Sequence, residues 1–193
     1  MPQSPKPVLV LASASPRRQE LLREAGIAFE LCPAHIAEER RPGEPPLEYA
    51  CRLAREKAEA VAQRFPGRFV LGADTIVVVD DHVLEKPRDP EDAARMLRLL
   101  SGRGHQVTTA VSLVDPSGQI QTTSSTTDVY FREMSDEEIL NYVKSGEPMD
   151  KAGAYAIQGG AGTWVQRIHG EYSNVVGLPL SLVREMLRAA NET

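Results

Sequence analysis

The chain has 193 residues, of which 41% are hydrophobic and 25% charged, and its formal net charge is −5. This is the composition of an ordinary globular protein of one domain. The acidic balance argues against a protein that holds nucleic acid by neutralising phosphates, and no run approaches the roughly 18 apolar residues of a membrane-spanning helix. The only two cysteines, Cys32 and Cys51, are too few for a disulfide framework. We therefore expect a cytoplasmic protein without nucleic-acid or membrane partners.

The first part of the chain predicts alternating strands and helices. Residues 1–7 are expected to form a flexible tail. Ser15 and Pro16 are typical N-cap and first-position residues of a helix, which ends at Gly26. The other elements predicted here are a strand at 7–12, a strand at 29–32, a helix at 46–64 and a strand at 68–80 that is interrupted at 72–74.

The second part predicts a helix, a hairpin and two more helices. Asp89 and Pro90 begin a helix that ends near Leu100, and Ser135 with Glu138 forms the capping box of another helix. The remaining features are hairpin strands at 106–114 and 122–132, a glycine-rich stretch at 151–162, a strand at 164–168 and a helix from residue 179. Together these elements indicate an α/β fold with a mixed sheet.

The turn from Ser13 to Arg18 is a candidate anion site. A strand that turns through small residues into a helix presents backbone N–H groups and the positive end of the helix dipole. Arg17 and Arg18 add positive charge in the first turn, where cations are unfavourable unless an anion is present. The alternative is an ordinary helix start with two solvated arginines.

Asp74 is the second candidate, because an acid in a hydrophobic strand usually has a cation, a metal or a catalytic task. It could instead bond nearby backbone at a bulge around Gly72. Lys57 lies beside the apolar stripe of its helix and could simply extend into solvent. Three more polar residues carry little signal by themselves, namely Glu38 and Lys86 in loops and Gln158 before two glycines.

Seven short blocks resemble, in the same order, the Maf family of nucleoside triphosphate pyrophosphatases. The resemblance extends over residues 8–187, nearly the whole chain. The blocks are LASASPRR at 11–18, REKA at 55–58, LGADT at 71–75, LEKP at 84–87, LSG at 100–102, DKAGAY at 150–155 and IQG at 157–159. Each block is weak alone, but the ordered set is highly specific.

The resemblance implies hydrolysis of a nucleoside triphosphate to the monophosphate and pyrophosphate, with Mg²⁺ or Mn²⁺. Asp74 matches the proton acceptor of the family, and Glu38 is expected to join it as a metal ligand. Ser13, Arg18, Lys57 and Lys86 match polar positions expected to bind phosphate. Arg17, Thr75 and Gln158 match the positions that set base specificity. Because position 17 is arginine rather than an aromatic residue, the chain looks like the dTTP/UTP branch.

The resemblance also implies an elongated mixed sheet flanked by helices, with a single domain of two lobes, a cleft between the lobes, and a homodimer. Two alternatives stay open at this point. One is the 7-methyl-GTP branch of the family. The other is a nucleotide-binding regulator of cell division that needs no catalysis.

Overall fold

The chain forms a mixed α/β fold, seen in a computed structural model that describes residues 9–191. The tail expected at residues 1–7 lies outside this range. The strands are β1 (Leu9–Leu11), β2 (Phe29–Leu31), β3 (Phe69–Val79), β4 (His82–Leu84), β5 (Gly104–Val114), β6 (Ile120–Phe131) and β7 (Val165–His169). The helices are α1 (Pro16–Glu24), α2 (Pro46–Ala62), α3 (Pro90–Leu100), α4 (Asp136–Lys144), α5 (Tyr172–Val176) and α6 (Leu180–Asn191). Short 3₁₀ helices occupy Glu147–Asp150, Ala152–Ala154 and Gly160–Trp164.

The seven strands form one mixed sheet in the order β2-β1-β3-β5-β6-β7, with β4 paired to β3. Strand β1 runs parallel to both β2 and β3. Strands β4 and β7 run antiparallel to β3 and β6 respectively. The mixed sheet expected from the sequence is therefore confirmed.

The predicted helix starts are present with their capping interactions. The Ser15 side chain accepts a hydrogen bond from the Arg18 amide, and Asp89 accepts one from Asp92 N at 2.7 Å. At Ser135 both halves of the capping box form. These helices begin where the sequence places them because a cap satisfies backbone N–H groups locally.

The interruption expected in the third strand is absent. Strand β3 runs unbroken from Phe69 to Val79, with Gly72 and Asp74 inside it. Gly72 lies within van der Waals reach of a helix, as described below. Strand β4 and helix α5 were not predicted, because elements of three and five residues leave almost no periodic pattern.

The chain divides into two compact units, each with its own buried side chains. The first unit contains Met1–Asp74, Ala110–Ser125 and Gly177–Thr193, and the second contains Thr75–Thr109 and Thr126–Val176. In the first unit a cluster is built from Val10, Ala12, Cys32, Ala58, Val61, Val70 and Val114. In the second unit, edge-to-face contacts join His105, Phe131, Tyr142, Tyr155 and Trp164. Within residues 9–191 no helix combines the length and apolar character needed to cross a membrane.

Candidate active site

Helix α2 packs directly on strand β3 because residue 72 is a glycine. A Cβ atom at Gly72 would lie 2.7 Å from the backbone nitrogen of Ala58 and closer still to the carbonyl oxygen of Ala54. Side chains two residues apart on a strand share one face, so Asp74 faces the same helix. The helix residue that meets it there is Lys57.

Lys57 and Asp74 form a buried ion pair. The Lys57 Nζ atom donates to Asp74 Oδ1 at 2.8 Å, and both residues are 7% exposed. The possibility that Lys57 extends into solvent is therefore wrong, because the close approach of α2 to β3 encloses it. The alternative in which Asp74 bonds nearby backbone is not what the structure shows, because its Oδ1 accepts from Lys57.

Burial raises the pKa of the Asp74 carboxyl above its usual range. The neighbouring charges of Lys57 and Arg18 act in the opposite direction, and the carboxylate of Glu38 adds to the increase. A carboxylate of raised pKa is a stronger base than a solvated one, which suits a group that must accept a proton.

Glu38 joins this pair from the loop before α2. Its Oε1 atom lies 3.0 Å from the same Lys57 Nζ, so one ammonium group contacts two carboxylates. Helix α2 also holds the loop itself: Tyr49 donates its hydroxyl to the Glu38 carbonyl at 3.2 Å. Arg52 donates to Glu44 at 2.6 and 2.8 Å and holds the pKa of that carboxyl down at about 2.

Arg18 and Ser13 lie together in the first unit. The Arg18 guanidinium donates to the Gly177 carbonyl at 2.8 Å, to Ser13 Oγ at 3.1 Å and to the Ala73 carbonyl at 3.0 Å. Burial lowers the pKa of Arg18, and the charge of Asp74 opposes that shift. The structure thus connects the helix-start candidates to the residue that precedes Asp74. Arg17, next to them in the same turn, is half-buried and hydrogen-bonds to no described side chain.

Thr75, Lys86 and Gln158 belong to the second unit. Thr75 is half-buried on β3, and its Oγ1 lies 2.9 Å from Oγ1 of Thr109 on β5. Lys86 and Gln158 are exposed, and within residues 9–191 neither side chain hydrogen-bonds or forms an ion pair. The structure therefore brings together Ser13 with Arg18, and Glu38 with Lys57 and Asp74, without joining Lys86 or Gln158 to another candidate.

The turn that carries Gln158 is fixed by two side chains from the preceding segment. The Ala156 amide donates to the Tyr142 hydroxyl at 3.1 Å, and the Gly160 amide donates to Glu147 Oε2 at 3.2 Å. A Cβ atom at Gly159 would overlap the Glu147 carboxylate and displace it. The sequence signal for this support is the pair of glycines after Gln158, since a residue without a side chain lets another group approach the backbone closely.

Asp74 and Glu38 are the acidic residues here that could hold a divalent cation. Both have an oxygen close to Lys57 Nζ, at 2.8 and 3.0 Å, so the two carboxylates lie near each other. Within residues 9–191 no group of three or more His, Cys, Asp or Glu is arranged to hold a metal ion, so this pair alone would supply the protein ligands. Two carboxylates suit Mg²⁺ in enzymes that act on phosphates, because the substrate oxygens complete its coordination.

Several supporting residues escaped the sequence reasoning. In the sequence Tyr49 and Arg52 look like ordinary helix residues, although in the structure they donate hydrogen bonds to the backbone carbonyls of the loop that carries Glu38. Thr109 reads as one of many strand threonines. Gly72 did give a signal, since a glycine inside a strand marks either a bulge or a close approach, and the structure shows the second.

Comparisons with known proteins found relatives of this chain in sequence and in fold. A family model described as Maf-like protein matches residues 8–190. The dTTP/UTP pyrophosphatase of Koribacter versatilis is 59% identical over 182 residues, covering 94% of each chain. The dTTP/UTP pyrophosphatase of Shigella sonnei is 56% identical over 184 residues, covering 95% of this chain and 93% of that one. Among solved structures, the Staphylococcus aureus Ham1 protein shares the fold, with a TM-score of 0.53 at 15% identity over 94% of this chain and 98% of that chain.

Proposed function

The chain belongs to the Maf family, and on that premise we propose that it hydrolyses nucleoside triphosphates, chiefly dTTP and UTP, to the monophosphate and pyrophosphate. The observation that carries the chemistry is the buried contact of Lys57 with both Asp74 and Glu38. Packing alone does not explain a buried carboxylate next to two cations on a strand, because an apolar residue would fill the same position.

Asp74 is the proposed proton acceptor. Cleavage between the α and β phosphates needs an attacking water that loses a proton, and a carboxylate of raised pKa can take it. The ammonium group of Lys57, 2.8 Å from Asp74 Oδ1, opposes this increase in the pKa and favours the ionised carboxylate in spite of its burial. The pair thus provides an enclosed carboxylate whose charged form is stabilised by a neighbouring cation.

The cationic side chains are proposed to bind the phosphates. Negative charge accumulates on the bridging oxygen and on the leaving pyrophosphate, and its stabilisation is the main task in phosphoryl chemistry. Arg18 is fixed by three oxygen acceptors, one of them Ser13 Oγ, so it is held in place before substrate binds. Lys57 and the exposed Lys86 would contribute further positive charge.

A divalent cation, Mg²⁺ or Mn²⁺, fits the carboxylates of Asp74 and Glu38, and we propose that they hold it. When bound, it would polarise phosphate oxygens and offset their charge. The residues of this chain would orient the substrate around it: Lys57 contacts both carboxylates and keeps them directed at one point.

Base selection is proposed to rest on Arg17, Thr75 and Gln158. The Gln158 amide has one acceptor oxygen and two N–H donors, which can read a pyrimidine edge bearing both C=O and N–H. Gln158→Ala is therefore expected to reduce discrimination among bases more than overall rate. Equal losses on every triphosphate would contradict this role.

Two further properties complete the proposal. We place the enzyme in the cytoplasm, where the free thiols of Cys32 and Cys51 stay reduced. We also propose a homodimer, as the family resemblance implies. Light scattering on the purified protein should give twice the mass of one chain, and a monomer at micromolar concentration would contradict the homodimer.

The deciding experiment measures pyrophosphate release with Mg²⁺ or Mn²⁺ across dTTP, UTP, CTP, purine triphosphates and 7-methyl-GTP. Asp74→Asn is the matched control, because it keeps the size of the side chain and removes the base. We expect turnover of dTTP and UTP, a fall of several orders of magnitude in Asp74→Asn, and loss of activity with EDTA. Preference for 7-methyl-GTP would move the chain to the other branch, and no release by folded protein would favour a nucleotide-binding regulator.

A further inference from the structure

The loop that carries Glu38 contains neither helix nor strand. It covers residues 32–45, between β2 and α2, and Glu38 is exposed on it. A metal ligand on a loop binds well only where the loop is already ordered, because ordering it on binding costs conformational entropy. The contacts that hold this loop therefore bear on the metal site proposed above.

Arg52 of α2 is at the centre of these contacts. Its Nε and Nη2 atoms donate to the two carboxylate oxygens of Glu44 at 2.6 and 2.8 Å, and Nη2 also donates to the Glu39 carbonyl at 2.9 Å. The Glu44 carboxylate accepts from the Arg41 amide at 3.0 Å, and the Glu44 carbonyl accepts from the Arg40 guanidinium at 2.6 and 2.9 Å. One side chain of the helix thus fixes the loop at two places.

Tyr49 extends this support to Glu38 itself. It lies three residues before Arg52 on the same face of α2, and the guanidinium carbon lies 5.6 Å from the centre of its ring. The Tyr49 hydroxyl donates to the Glu38 carbonyl at 3.2 Å, next to the Glu39 carbonyl that the arginine binds. Two consecutive carbonyl oxygens of the loop are therefore held by the helix that also carries Lys57.

The contacts of Arg52 depend on its planar guanidinium. The side chains of Arg52 and Glu44 are only 15% and 9% exposed, so their ion pair is shielded from the water that weakens most surface pairs. The Glu56 carboxylate, one turn further along α2, accepts from Nη1 at 3.3 Å and directs the guanidinium toward the loop. A lysine at this position would keep the charge without the two parallel hydrogen bonds to Glu44.

We propose that Arg52 is a positioning residue for the divalent metal site, because it fastens the loop to α2 and so keeps the Glu38 carboxylate beside Asp74 before the ion binds. This inference rests on the proposed function, in which Glu38 and Asp74 hold the ion. Groups that orient a metal ligand without touching the metal typically change its affinity about 10–100-fold. Loss of the Arg52 contacts should therefore weaken metal binding.

The test measures Mn²⁺ binding to the full chain from the electron paramagnetic resonance signal of the free ion. A UTP analogue with a methylene group between the α and β phosphates is present, so the measurement involves no turnover. Arg52→Met removes the guanidinium and keeps an unbranched side chain, whereas Arg52→Lys keeps the charge alone. Arg55→Met is the matched control, because Arg55 lies on the same helix and pairs with Glu59 at 2.9 Å.

We expect Arg52→Met to raise the dissociation constant of Mn²⁺ by about tenfold, the lower end of the effect of such orienting groups. Arg52→Lys should fall between this variant and the wild type, and Arg55→Met should keep the wild-type value. The Mg²⁺ concentration for half-maximal turnover of UTP should rise in Arg52→Met by the same factor. An unchanged dissociation constant in Arg52→Met, or an equal rise in Arg55→Met, would overturn the inference.

A double variant separates positioning from a general loss of stability. In Glu38→Gln the ligand that the loop presents is already weakened, so adding Arg52→Met should change the dissociation constant of Mn²⁺ little further. Fully additive losses would overturn the inference, because Arg52 would then act by a route other than Glu38. If Arg52→Met does not fold, Glu44→Gln serves with the same expectation, since it removes the charged partner of the arginine. Failure of the wild-type protein to bind Mn²⁺ and to cleave UTP would contradict the proposed function itself.

Discussion

Replacing Gly72 by alanine tests whether the close approach of α2 to β3 creates the candidate active site. The added Cβ would lie 2.7 Å from Ala58 N and closer still to the Ala54 carbonyl oxygen, whereas ordinary contact begins at 3.4 Å, so the helix must withdraw by more than roughly 0.7 Å. The atoms in the way are backbone, which cannot rotate aside. Lys57 belongs to that helix, so the 2.8 Å distance from its Nζ to Asp74 Oδ1 would lengthen to the limit of hydrogen bonding or beyond it.

The expected cost has a stability part and a catalytic part. Overpacking of this kind costs about 1–3 kcal/mol of unfolding free energy. Misplacement of a catalytic group by about 1 Å can lower turnover about 100-fold. Urea denaturation measures the first, and pyrophosphate release from UTP measures the second.

Gly104→Ala is the matched control. The three atoms nearest to its Cβ would all belong to the Tyr130 ring, the closest at 2.7 Å, and a ring can shift. We expect this variant to keep turnover within about twofold of wild type, since an exposed substitution usually changes stability by no more than about 0.5 kcal/mol. A folded Gly72→Ala protein with wild-type turnover would refute the argument that the glycine sets the position of Lys57.

Three further outcomes are expected. Lys57→Met removes a charge that lowers the pKa of Asp74, so the acid limb of the kcat/KM profile should move to higher pH. A profile that superimposes on that of the wild type would contradict the ion pair. Burial lowers the pKa of His105 from 6.5 to about 4, so the folded state resists protonation and stability should fall by about 3 kcal/mol as pH drops through that window. The free energy of unfolding of His105→Gln, measured by urea titration, should depend less on pH than that of the wild type. Parallel pH dependences would contradict this role of His105. Gly159→Ala should displace the Glu147 carboxylate and raise KM for UTP with little loss of stability, so an unchanged KM would separate that turn from substrate binding.

Local signals in the sequence predicted most of the secondary structure. Ser15, Asp89 and Ser135 each accept a hydrogen bond from the backbone amide three residues ahead. Both partners of each capping hydrogen bond therefore lie within one short sequence motif. Short elements such as β4 and α5 depend on pairing and packing with distant residues. No pattern within three to five residues could indicate them.

The candidate site could be predicted by residue type but not by geometry. Asp74 stands out in an apolar strand, whereas Lys57 on its helix looks like any amphipathic lysine. Lys57 is buried because α2 packs on β3. That packing depends on the absence of a side chain at Gly72. Likewise, Thr109 donates to the Asn174 carbonyl 65 residues away, and no local sequence pattern could indicate that contact.

The contact between Arg18 and Gly177 has a consequence for how the protein is made. Gly177 opens the last segment of the first unit, whose other parts include Arg18, Lys57 and Asp74. Ribosomes add about 5–20 residues per second from the N-terminus, so the whole intervening stretch must be synthesised before the arginine can reach its acceptor. A nascent chain therefore contains Arg18, Lys57 and Asp74 well before Arg18 can form its contact with the Gly177 carbonyl.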